Sequence, residues 1–166
     1  FGNQLTYLTD SSQFGFEPLL FQGNKKLYCY LPSMRGENPD DRHLNQFFHC
    51  EAEIVGSIDA LLPIVENYII SLAEMCVALL PLIKKIATDA SATEDVLYEL
   101  LSKKTFDTYE FSDVFDILSQ HIDADNYIIQ NENGRSISSD GEREYAISRK
   151  CKSPFWLRNF DRNMTA

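Results

Sequence analysis

The predicted structure is organised by the segment 26–55, which reads KLYCYLPSMRGENPDDRHLNQFFHCEAEIV. Two runs of strand-forming residues, 26–35 and 46–55, flank a polar stretch that contains glycine, asparagine, proline and aspartates. Glycine and proline in such a cluster are typical of a loop between strands. The segment therefore predicts an antiparallel hairpin with a long loop at its tip.

Alternation along the second strand separates two faces of this hairpin. The apolar face is expected to pack on helices and comprises Phe48, Cys50, Ala52 and Ile54. The opposite face carries an aromatic ring, an imidazole and two carboxylates, from Phe47, His49, Glu51 and Glu53. Arg35 and Glu37 likewise share a face near the end of the first strand. Burying such groups without partners is costly, so this surface is either the floor of a polar pocket or a solvated face with scattered ion pairs.

Hydrophobic residues at steps of three and four predict helices on both sides of the hairpin. Residues 13–22 predict a short helix that ends at Gly23, because glycine readily adopts the conformation that terminates a helix. Residues 57–87 predict a longer helical region, which Pro63 and Pro81 are expected to kink or divide.

Shorter elements are predicted in the C-terminal half. Ser91 begins a sequence typical of a capping box, followed by a helix. Thr108 is expected to cap another helix over 109–121. Three further strands and one loop are predicted at 4–8, 126–130, 155–160 and 131–141, respectively. Strands and helices in this order predict an α+β fold, in which helices flank a mainly antiparallel sheet.

Charge and cysteine usage argue against several kinds of site. The 166 residues carry a formal net charge of −10 with no large cluster of Lys and Arg, which argues against an extensive nucleic-acid-binding surface. The four cysteines form no Cys-x-x-Cys pair and the histidines add no zinc spacing, so no metal site is predicted. The most apolar stretch, 68–83, is shorter than the about 20 residues that cross a bilayer. It is interpreted as a core helix, and no membrane contact is expected.

Four blocks of sequence carry a resemblance to a known family. The hairpin contains MRGEN at 34–38, RHLNQF at 42–47 and EAE at 51–53. Without a gap, this arrangement is similar to motif 2 of class II aminoacyl-tRNA synthetases, in the form found in the aspartate/asparagine subgroup. Three further segments resemble blocks of the same subgroup in the same order, at 7–13, 105–109 and 154–160. The resemblance spans nearly the whole chain and implies a class II catalytic core with motif 2 at about 26–55.

The resemblance implies that the hairpin binds ATP. Arg35 matches the catalytic arginine that grips the α-phosphate and the amino-acid carboxylate. A fixed guanidinium suits that place, because negative charge builds up around the α-phosphorus as the carboxylate attacks. Phe47 matches the ring that stacks on adenine. The implied ATP-binding residues are Arg35, Glu37, Arg42, His43 and Phe47.

The resemblance also implies amino-acid-binding residues, namely Ser11, Gln13, Glu17, His49, Glu51 and Asn159. Gln13 and Glu51 match groups that hold the substrate ammonium. Aspartate enzymes carry Lys at the position of Phe16, whereas asparagine enzymes carry Glu at the position of Glu17. A carboxylate suits an amide NH₂ and repels a second carboxylate, which favours asparagine. Glu17 is also compatible with a simple surface charge on a helix.

The chain departs from the subgroup's pattern at several positions. Arg135 and Ser136 stand where the subgroup has two acids that help to hold magnesium or substrate. Gln46 replaces a glutamate, and Asp161 replaces a proline. Motif 1, which builds the dimer, motif 3, which binds ATP, and the anticodon-binding domain are expected outside this chain. Residues 1–166 are therefore interpreted as a partial catalytic domain.

The function implied by the resemblance is ATP-dependent activation of asparagine or aspartate as an aminoacyl-adenylate, within an aminoacyl-tRNA ligase that uses Mg²⁺. The implied setting is cytoplasmic, with a homodimer in the full-length form and tRNA bound only through parts outside this chain. Two other interpretations stay open. A free-standing enzyme that transfers the activated amino acid to ammonia or a small amine is favoured by the missing basic surface. A catalytically inactive binding or regulatory module is favoured by the two lost acids.

Overall fold

The chain divides into two units, Phe1–Leu62 and Pro63–Ala166, hereafter unit 1 and unit 2. The computed structural model describes residues 8–39, 43–132 and 134–162. The strand expected at 4–8 lies outside the described residues except for Leu8, which is not in a strand.

Unit 1 contains the helix and the hairpin that its sequence predicts. Helix α1 (Gln13–Phe21) ends before Gly23, whose φ of 99° is the left-handed conformation expected at that position. Strands β1 (Lys26–Met34) and β2 (Gln46–Ile54) pair antiparallel, with Ser33 opposite Phe47 and Cys29 opposite Glu51. The predicted helix and hairpin are confirmed.

Unit 2 is built from short elements around one central helix. Helix α2 (Ile58–Ala78) begins before the boundary between the units and is followed by elements of unit 2. These are α3 (Leu80–Ile83), α4 (Ala90–Ser102), β3 (Asp107–Glu110), α5 (Phe111–Ser119), α6 (Ala124–Tyr127), β4 (Ile128–Asn131), β5 (Gly134–Ile137), α7 (Ser139–Ser148) and β6 (Phe155–Arg158). Strands β4 and β5 pair antiparallel, whereas β3 and β6 pair parallel. With β1 and β2, two of the three described ladders are antiparallel, which confirms the predicted α+β class.

The core of unit 2 is centred on α5. The buried side of this helix presents residues at steps of three, one and three, which is one face of a helix. The buried cluster comprises Phe111, Val114, Phe115, Leu118, Ile137 and Tyr145. Gly141 lets α7 approach closely, because a Cβ at this position would collide with the carbonyl oxygen of Tyr127.

Helix α2 is anchored to unit 2 by a buried acid. Glu66 Oε1 accepts hydrogen bonds from the Phe106 backbone N–H at 3.0 Å and from the Trp156 indole N–H at 2.8 Å. Glu66 and Ala73 are the buried residues of α2. The interpretation as a core helix is therefore correct for one side only. By length and composition alone, the 21 residues of α2 could cross a membrane. The prediction that this apolar region is too short to cross a bilayer was therefore wrong.

Several predicted boundaries of unit 2 were wrong. Asp89, not Ser91, caps α4, and its side chain accepts from the Ala92 N–H at 2.9 Å. Thr108 lies within β3, because pairing with β6 holds this segment extended and the helix starts only at Phe111. The predicted loop 131–141 contains β5 and the start of α7. These elements depend on pairing between distant segments, which local composition does not report.

The two faces of the hairpin are buried in the opposite way from the prediction. The apolar face of β2 was expected to pack on helices, but Phe48 is 62% exposed, and Tyr28 and Tyr30, on the same face of β1, are 84% and 67% exposed. Tyr30 and Phe48 stack on one another with ring centroids 5.2 Å apart. The polar face is the half-buried one, because the segment before α1 hydrogen-bonds to Glu51 on that side.

Candidate functional site

The register of the hairpin gathers polar and aromatic groups on one face. Arg35 extends the ladder beyond β1, since its backbone N–H donates to the Asn45 carbonyl oxygen at 2.9 Å. Its guanidinium lies over the Phe47 ring, 5.4 Å from the centroid. The His49 ring meets the same Phe47 ring edge-on at 5.7 Å. Arg35, Phe47 and His49 therefore form a continuous row along the polar face.

A pocket of about 370 Å³ opens over this row. Its lining residues are Arg35, Glu37, Asn38, Pro39, His43, Leu44, Asn45, Phe47 and His49. The Asn45 amide closes the base of the hairpin loop by donating to the carbonyl oxygens of Arg35, at 3.1 Å, and of Glu37. Five of the residues that sequence reasoning selected thus lie in one pocket. Arg42, also selected, lies outside the described residues.

The chemistry of this pocket suits an anion attached to a planar ring. A guanidinium offers several N–H donors in a fixed plane, which favours phosphate and carboxylate oxygens. An aromatic face offers a stacking surface for a base. Two buried polar atoms next to these groups, Ser33 Oγ and His49 Nδ1, have no hydrogen-bond partner among the described residues. Ser33 was not selected from the sequence, because a single serine in a strand carries no signal.

Glu51 lies farther along the same face, and its carboxylate is hydrogen-bonded to the segment before α1. It accepts from the Ser11 hydroxyl at 2.9 Å, from the Ser12 backbone N–H at 2.7 Å and from the Ser12 hydroxyl. These hydrogen bonds, chiefly that from the Ser12 side chain, hold the pKa of Glu51 below its ordinary value. His49 Nδ1 is 3.8 Å from the same carboxylate. Glu51 thus stabilises the N-terminus of α1 in addition to lining this face.

Gln13 and Glu17 lie on the exposed side of α1, next to a different groove. The Gln13 amide donates to the Glu17 carboxylate at 3.4 Å. Both line a groove of about 420 Å³, together with Glu53 and Ser57. The residues selected for amino-acid binding are thus divided within unit 1 between this groove, the Glu51 cluster and the Arg35 pocket.

Asn159, the remaining residue selected for amino-acid binding, lies in unit 2. It follows β6 with a φ of 61°, a left-handed conformation that is uncommon outside glycine and that asparagine tolerates. Its amide donates to the Glu110 carboxylate at the end of β3, at 2.7 Å. Asn159 therefore joins the ends of the two parallel strands.

Two departures from the subgroup's pattern meet in unit 2. The Arg135 guanidinium donates to Asp161 through Nε and Nη2, each at 3.0 Å, and the Arg135 backbone N–H adds a third bond at 3.0 Å. Its side chain also lies over Phe111 and Phe115, 5.6 and 5.2 Å from the ring centroids. The hydrogen bonds from Arg135 lower the pKa of Asp161. The replacement of an acid by Arg135 is thus matched by the replacement of a proline by Asp161.

No metal centre is formed by the part of the chain that the structure describes. Nowhere in it do three His, Cys, Asp or Glu side chains cluster in a way that could hold an ion. The lining of the Arg35 pocket contains two histidines, His43 and His49, and one carboxylate, that of Glu37. The described residues therefore do not by themselves fit a bound Mg²⁺, and a metal would need oxygen ligands from a substrate.

The known proteins that this chain resembles in sequence are asparagine–tRNA ligases. No protein-family model matches the chain. It is 37% identical over 163 residues to a probable cytoplasmic asparagine–tRNA ligase of Enterocytozoon bieneusi, covering 95% of this chain and 34% of that protein. It is 31% identical over 137 residues to the asparagine–tRNA ligase of Mycoplasma genitalium, covering 74% of this chain and 28% of that protein. The chain therefore spans about a third of the length of these relatives.

A solved structure has the same fold. The asparaginyl-tRNA synthetase of Entamoeba histolytica, in complex with asparaginyl-adenylate, matches with a TM-score of 0.72 and 24% identity, over 100% of this chain and 35% of that chain. The resemblance to the class II, asparagine-type core is confirmed by these relatives, and the expected fold is confirmed by this structure.

Proposed function

We infer that this chain, a relative of asparagine–tRNA ligases over about a third of their length, contributes the nucleotide-binding hairpin for ATP-dependent activation of asparagine. In that reaction the amino-acid carboxylate attacks the α-phosphate of ATP, forming asparaginyl-adenylate and releasing pyrophosphate. The adenylate is the substrate for later transfer to tRNA. The reaction is assigned to the polypeptide that contains this segment. The segment itself contributes the hairpin.

The observation that carries the proposal is the pairing of Arg35 with Phe47 in one pocket. The guanidinium lies 5.4 Å from the ring centroid, so one side chain suited to a phosphate lies directly beside one suited to a purine. Arg35 stabilises the charge that develops at phosphorus. The Asn45 amide, by hydrogen-bonding the Arg35 carbonyl oxygen, limits the movement of the Arg35 backbone.

Asparagine is the proposed amino acid. Glu17, on α1, and Glu53, on β2, line the same groove as Gln13. Carboxylates accept hydrogen bonds from an amide NH₂ and repel a second carboxylate, so this groove discriminates against aspartate. The relatives from Enterocytozoon bieneusi and Mycoplasma genitalium are both named for asparagine. Ser11, His49, Glu51 and Asn159 stay proposed as further amino-acid ligands.

The proposed setting follows the same relatives. ATP and asparagine are the substrates, and tRNA is reached through other parts of the polypeptide. A homodimer built by motif 1, a cytoplasmic location and no membrane contact complete the proposal. No step is assigned to Mg²⁺, because no described cluster of side chains fits a metal ion.

A second candidate function is a catalytically inactive binding module. The observation in its favour is that Arg135 stands where the subgroup has an acid. Its guanidinium is neutralised by Asp161. Such a module would retain the hairpin pocket and bind the adenylate without forming it. Measuring adenylate binding and catalysis separately therefore distinguishes the ligase from the inactive module.

The binding experiment uses asparaginyl-sulfamoyl adenosine, a stable analogue of the adenylate, titrated into the chain by calorimetry. We expect measurable binding that weakens at least tenfold in Arg35→Ala, since a charge-assisted contact is lost. Arg143→Ala is the matched control, because Arg143 is 65% exposed on α7 and outside the pocket. Equal affinity of wild type and Arg35→Ala, or no binding by the wild type, would contradict the proposal.

The catalytic experiment measures ATP–pyrophosphate exchange with asparagine or with aspartate. Exchange that depends on asparagine supports the ligase. Analogue binding without exchange by the longest natural polypeptide that contains this segment supports the inactive module. Faster exchange with aspartate than with asparagine would refute the role given to Glu17.

A further inference from the structure

His49 lies between Phe47 and Glu51 on the polar face of β2, and its two ring nitrogens have different surroundings. Nδ1 is buried and has no hydrogen-bond partner among the described residues. The side chain as a whole is 30% exposed and lines the Arg35 pocket. Because Nδ1 is turned into the fold, the exposed side of the ring carries the other nitrogen, Nε2.

A carboxylate faces the buried nitrogen. Nδ1 lies 3.8 Å from Glu51 Oε2, which is too long for a hydrogen bond but close enough for an electrostatic preference. The hydrogen bond from the Ser12 side chain holds the pKa of Glu51 below its ordinary value, so this carboxylate is ionised at neutral pH and only accepts. In a neutral imidazole, a lone pair on Nδ1 would point at this negative charge. The tautomer with the proton on Nδ1 is therefore favoured, and it makes Nε2 an acceptor.

Glu51 has little capacity left to bind a ligand directly. It accepts from the Ser11 hydroxyl, the Ser12 N–H and the Ser12 hydroxyl, which fill three of the about four acceptor positions of a carboxylate. Its side chain is 17% exposed, compared with 30% for His49. A cationic group at this end of the face therefore meets His49 Nε2 more readily than the carboxylate oxygens, with the charge of Glu51 behind the imidazole.

The place of His49 along the face limits which part of an adenylate reaches it. Phe47, the proposed platform for the base, lies on one side of it. Glu51 and then Glu53, which lines the groove proposed for the asparagine side chain, follow on the other side. Between the base and that side chain, an adenylate has its ribose, phosphate, carbonyl and α-ammonium groups. An acceptor disfavours phosphate and carbonyl oxygens, and the charge of Glu51 favours the ammonium over a ribose hydroxyl.

We propose that His49 Nε2 accepts a hydrogen bond from the α-ammonium group of the bound amino acid, and that Glu51 holds the imidazole in the tautomer that does so. The inference rests on the proposed function, since its ligand is asparaginyl-adenylate. It specifies the atom by which His49 binds the amino acid. It also narrows the role of Glu51 to that of a positioning residue, which acts on the ammonium through His49.

The tautomer is measured in the free chain, from the nitrogen-15 chemical shifts of the histidine rings at neutral pH. The signals of His49 are assigned by their absence in His49→Phe. We expect a protonated Nδ1 and an unprotonated Nε2. A protonated Nε2, in a neutral or a charged ring, overturns the proposal. In Glu51→Gln the Nδ1–H form should lose its majority, and an unchanged tautomer would show that Glu51 does not position the ring.

Two analogues that differ only in the α-ammonium group test the contact. Asparaginyl-sulfamoyl adenosine carries this group, and succinamoyl-sulfamoyl adenosine has hydrogen in its place. By calorimetry, the whole wild-type chain should bind the first about tenfold more tightly or more, as for a hydrogen bond to a charged group. In His49→Phe, which keeps an aromatic ring beside Phe47, the preference should fall to about threefold or less. His121→Phe is the matched control, because His121 lies in unit 2, and it should keep the wild-type preference.

The outcomes separate this inference from the proposed function. Failure of the wild type to bind either analogue contradicts the proposed function and this inference with it. Binding that depends on Arg35, with a preference that survives His49→Phe, overturns this inference alone. Equal weakening of both analogues by His49→Phe would assign Nε2 to a hydroxyl group of the adenosine instead. A preference lost in Glu51→Gln but kept in His49→Phe would assign the ammonium to Glu51. Circular dichroism checks folding, and His49→Leu takes the place of His49→Phe if the latter does not fold.

Discussion

Unit 1 and unit 2 use their polar groups in different ways. Among its described residues, unit 1 buries only Phe16 and Ser33, and it places a guanidinium, two imidazoles and several carboxylates around open pockets. Unit 2 buries a cluster centred on Phe111 and pairs its prominent charges internally, as with Arg135 and Asp161. The groups proposed to bind ligands therefore lie in the unit that buries few residues, whereas the polar groups of the better-packed unit 2 are satisfied internally.

The two units also contain contrasting glutamates. Glu66 of unit 2 is 6% exposed and holds two donors of its own unit. Glu51 of unit 1 holds the start of α1 and lies on the same face as the candidate pocket. One acid is structural, and the other can serve both structure and ligand. Substitutions at these positions test how far the two units differ.

The largest effect is expected from Phe111→Ala. The side chain is fully buried, and its removal leaves a cavity that costs about 3–5 kcal/mol of unfolding free energy. The fluorescence of Trp156, the chain's one tryptophan, reports unit 2 unfolding in urea, and far-ultraviolet circular dichroism follows the loss of helix in both units. Phe14→Ala in unit 1 is the control, because Phe14 is 83% exposed and its loss should cost less than about 0.5 kcal/mol. Similar costs for the two variants would remove the contrast between the units.

A smaller effect is expected from Glu66→Leu. This change leaves the Phe106 N–H and the Trp156 indole N–H without their acceptor, at a cost of about 2–4 kcal/mol. Glu66→Gln keeps an acceptor oxygen and should lose about 1 kcal/mol or less. Urea unfolding followed through Trp156 measures both. If Glu66→Leu is as stable as Glu66→Gln, the buried acid does not anchor α2.

The smallest effect concerns the pH dependence of unit 1. The folded pKa of Glu51 lies below its ordinary 4.5, so its contribution is present above pH 4.5 and is lost as the pH falls through the folded value. Glu51→Gln should remove this dependence and cost about 1 kcal/mol, the usual value of a helix N-cap. Protection of the Ser12 N–H from hydrogen exchange, corrected for intrinsic rates, measures it.

The matched control for this pH dependence is Glu17→Gln. Glu17 lies on the exposed side of α1 and has one long hydrogen bond, to Gln13 at 3.4 Å. It should leave the pH dependence of Ser12 protection unchanged. Protection that does not fall on acidification in the wild type would show that Glu51 contributes nothing to the start of α1.

The hairpin was predictable from sequence because its signals are local. Alternation in 46–55, the loop residues after Arg35 and the break at Gly23 each depend on a few neighbouring residues. The family resemblance then placed Arg35 and Phe47 on one face, which the register bears out. The burial of the two faces was not predictable, because it depends on the segment before α1 that covers the polar side.

Unit 2 was harder to predict because its elements depend on distant partners. Strand β3 forms only by pairing with β6, and Arg135 meets Asp161 across 26 residues of chain. Asp89 displaced Ser91 as the cap of α4 by lying one residue before the first helical position. The sequence indicated local preferences for strand, helix and cap. It did not indicate which distant segment would pair with each residue and so decide its conformation.

The central claim is that the polar face of the hairpin holds the base of the adenylate, and neighbouring phenylalanines test it directly. Phe47 and Phe48 are adjacent in sequence but lie on opposite faces of β2. The measurement is the nuclear Overhauser effect between the adenine protons of bound asparaginyl-sulfamoyl adenosine and assigned phenylalanine rings. The account predicts cross-peaks to Phe47 and none to Phe48. Cross-peaks to Phe48, or to neither ring while the analogue is bound, would contradict it.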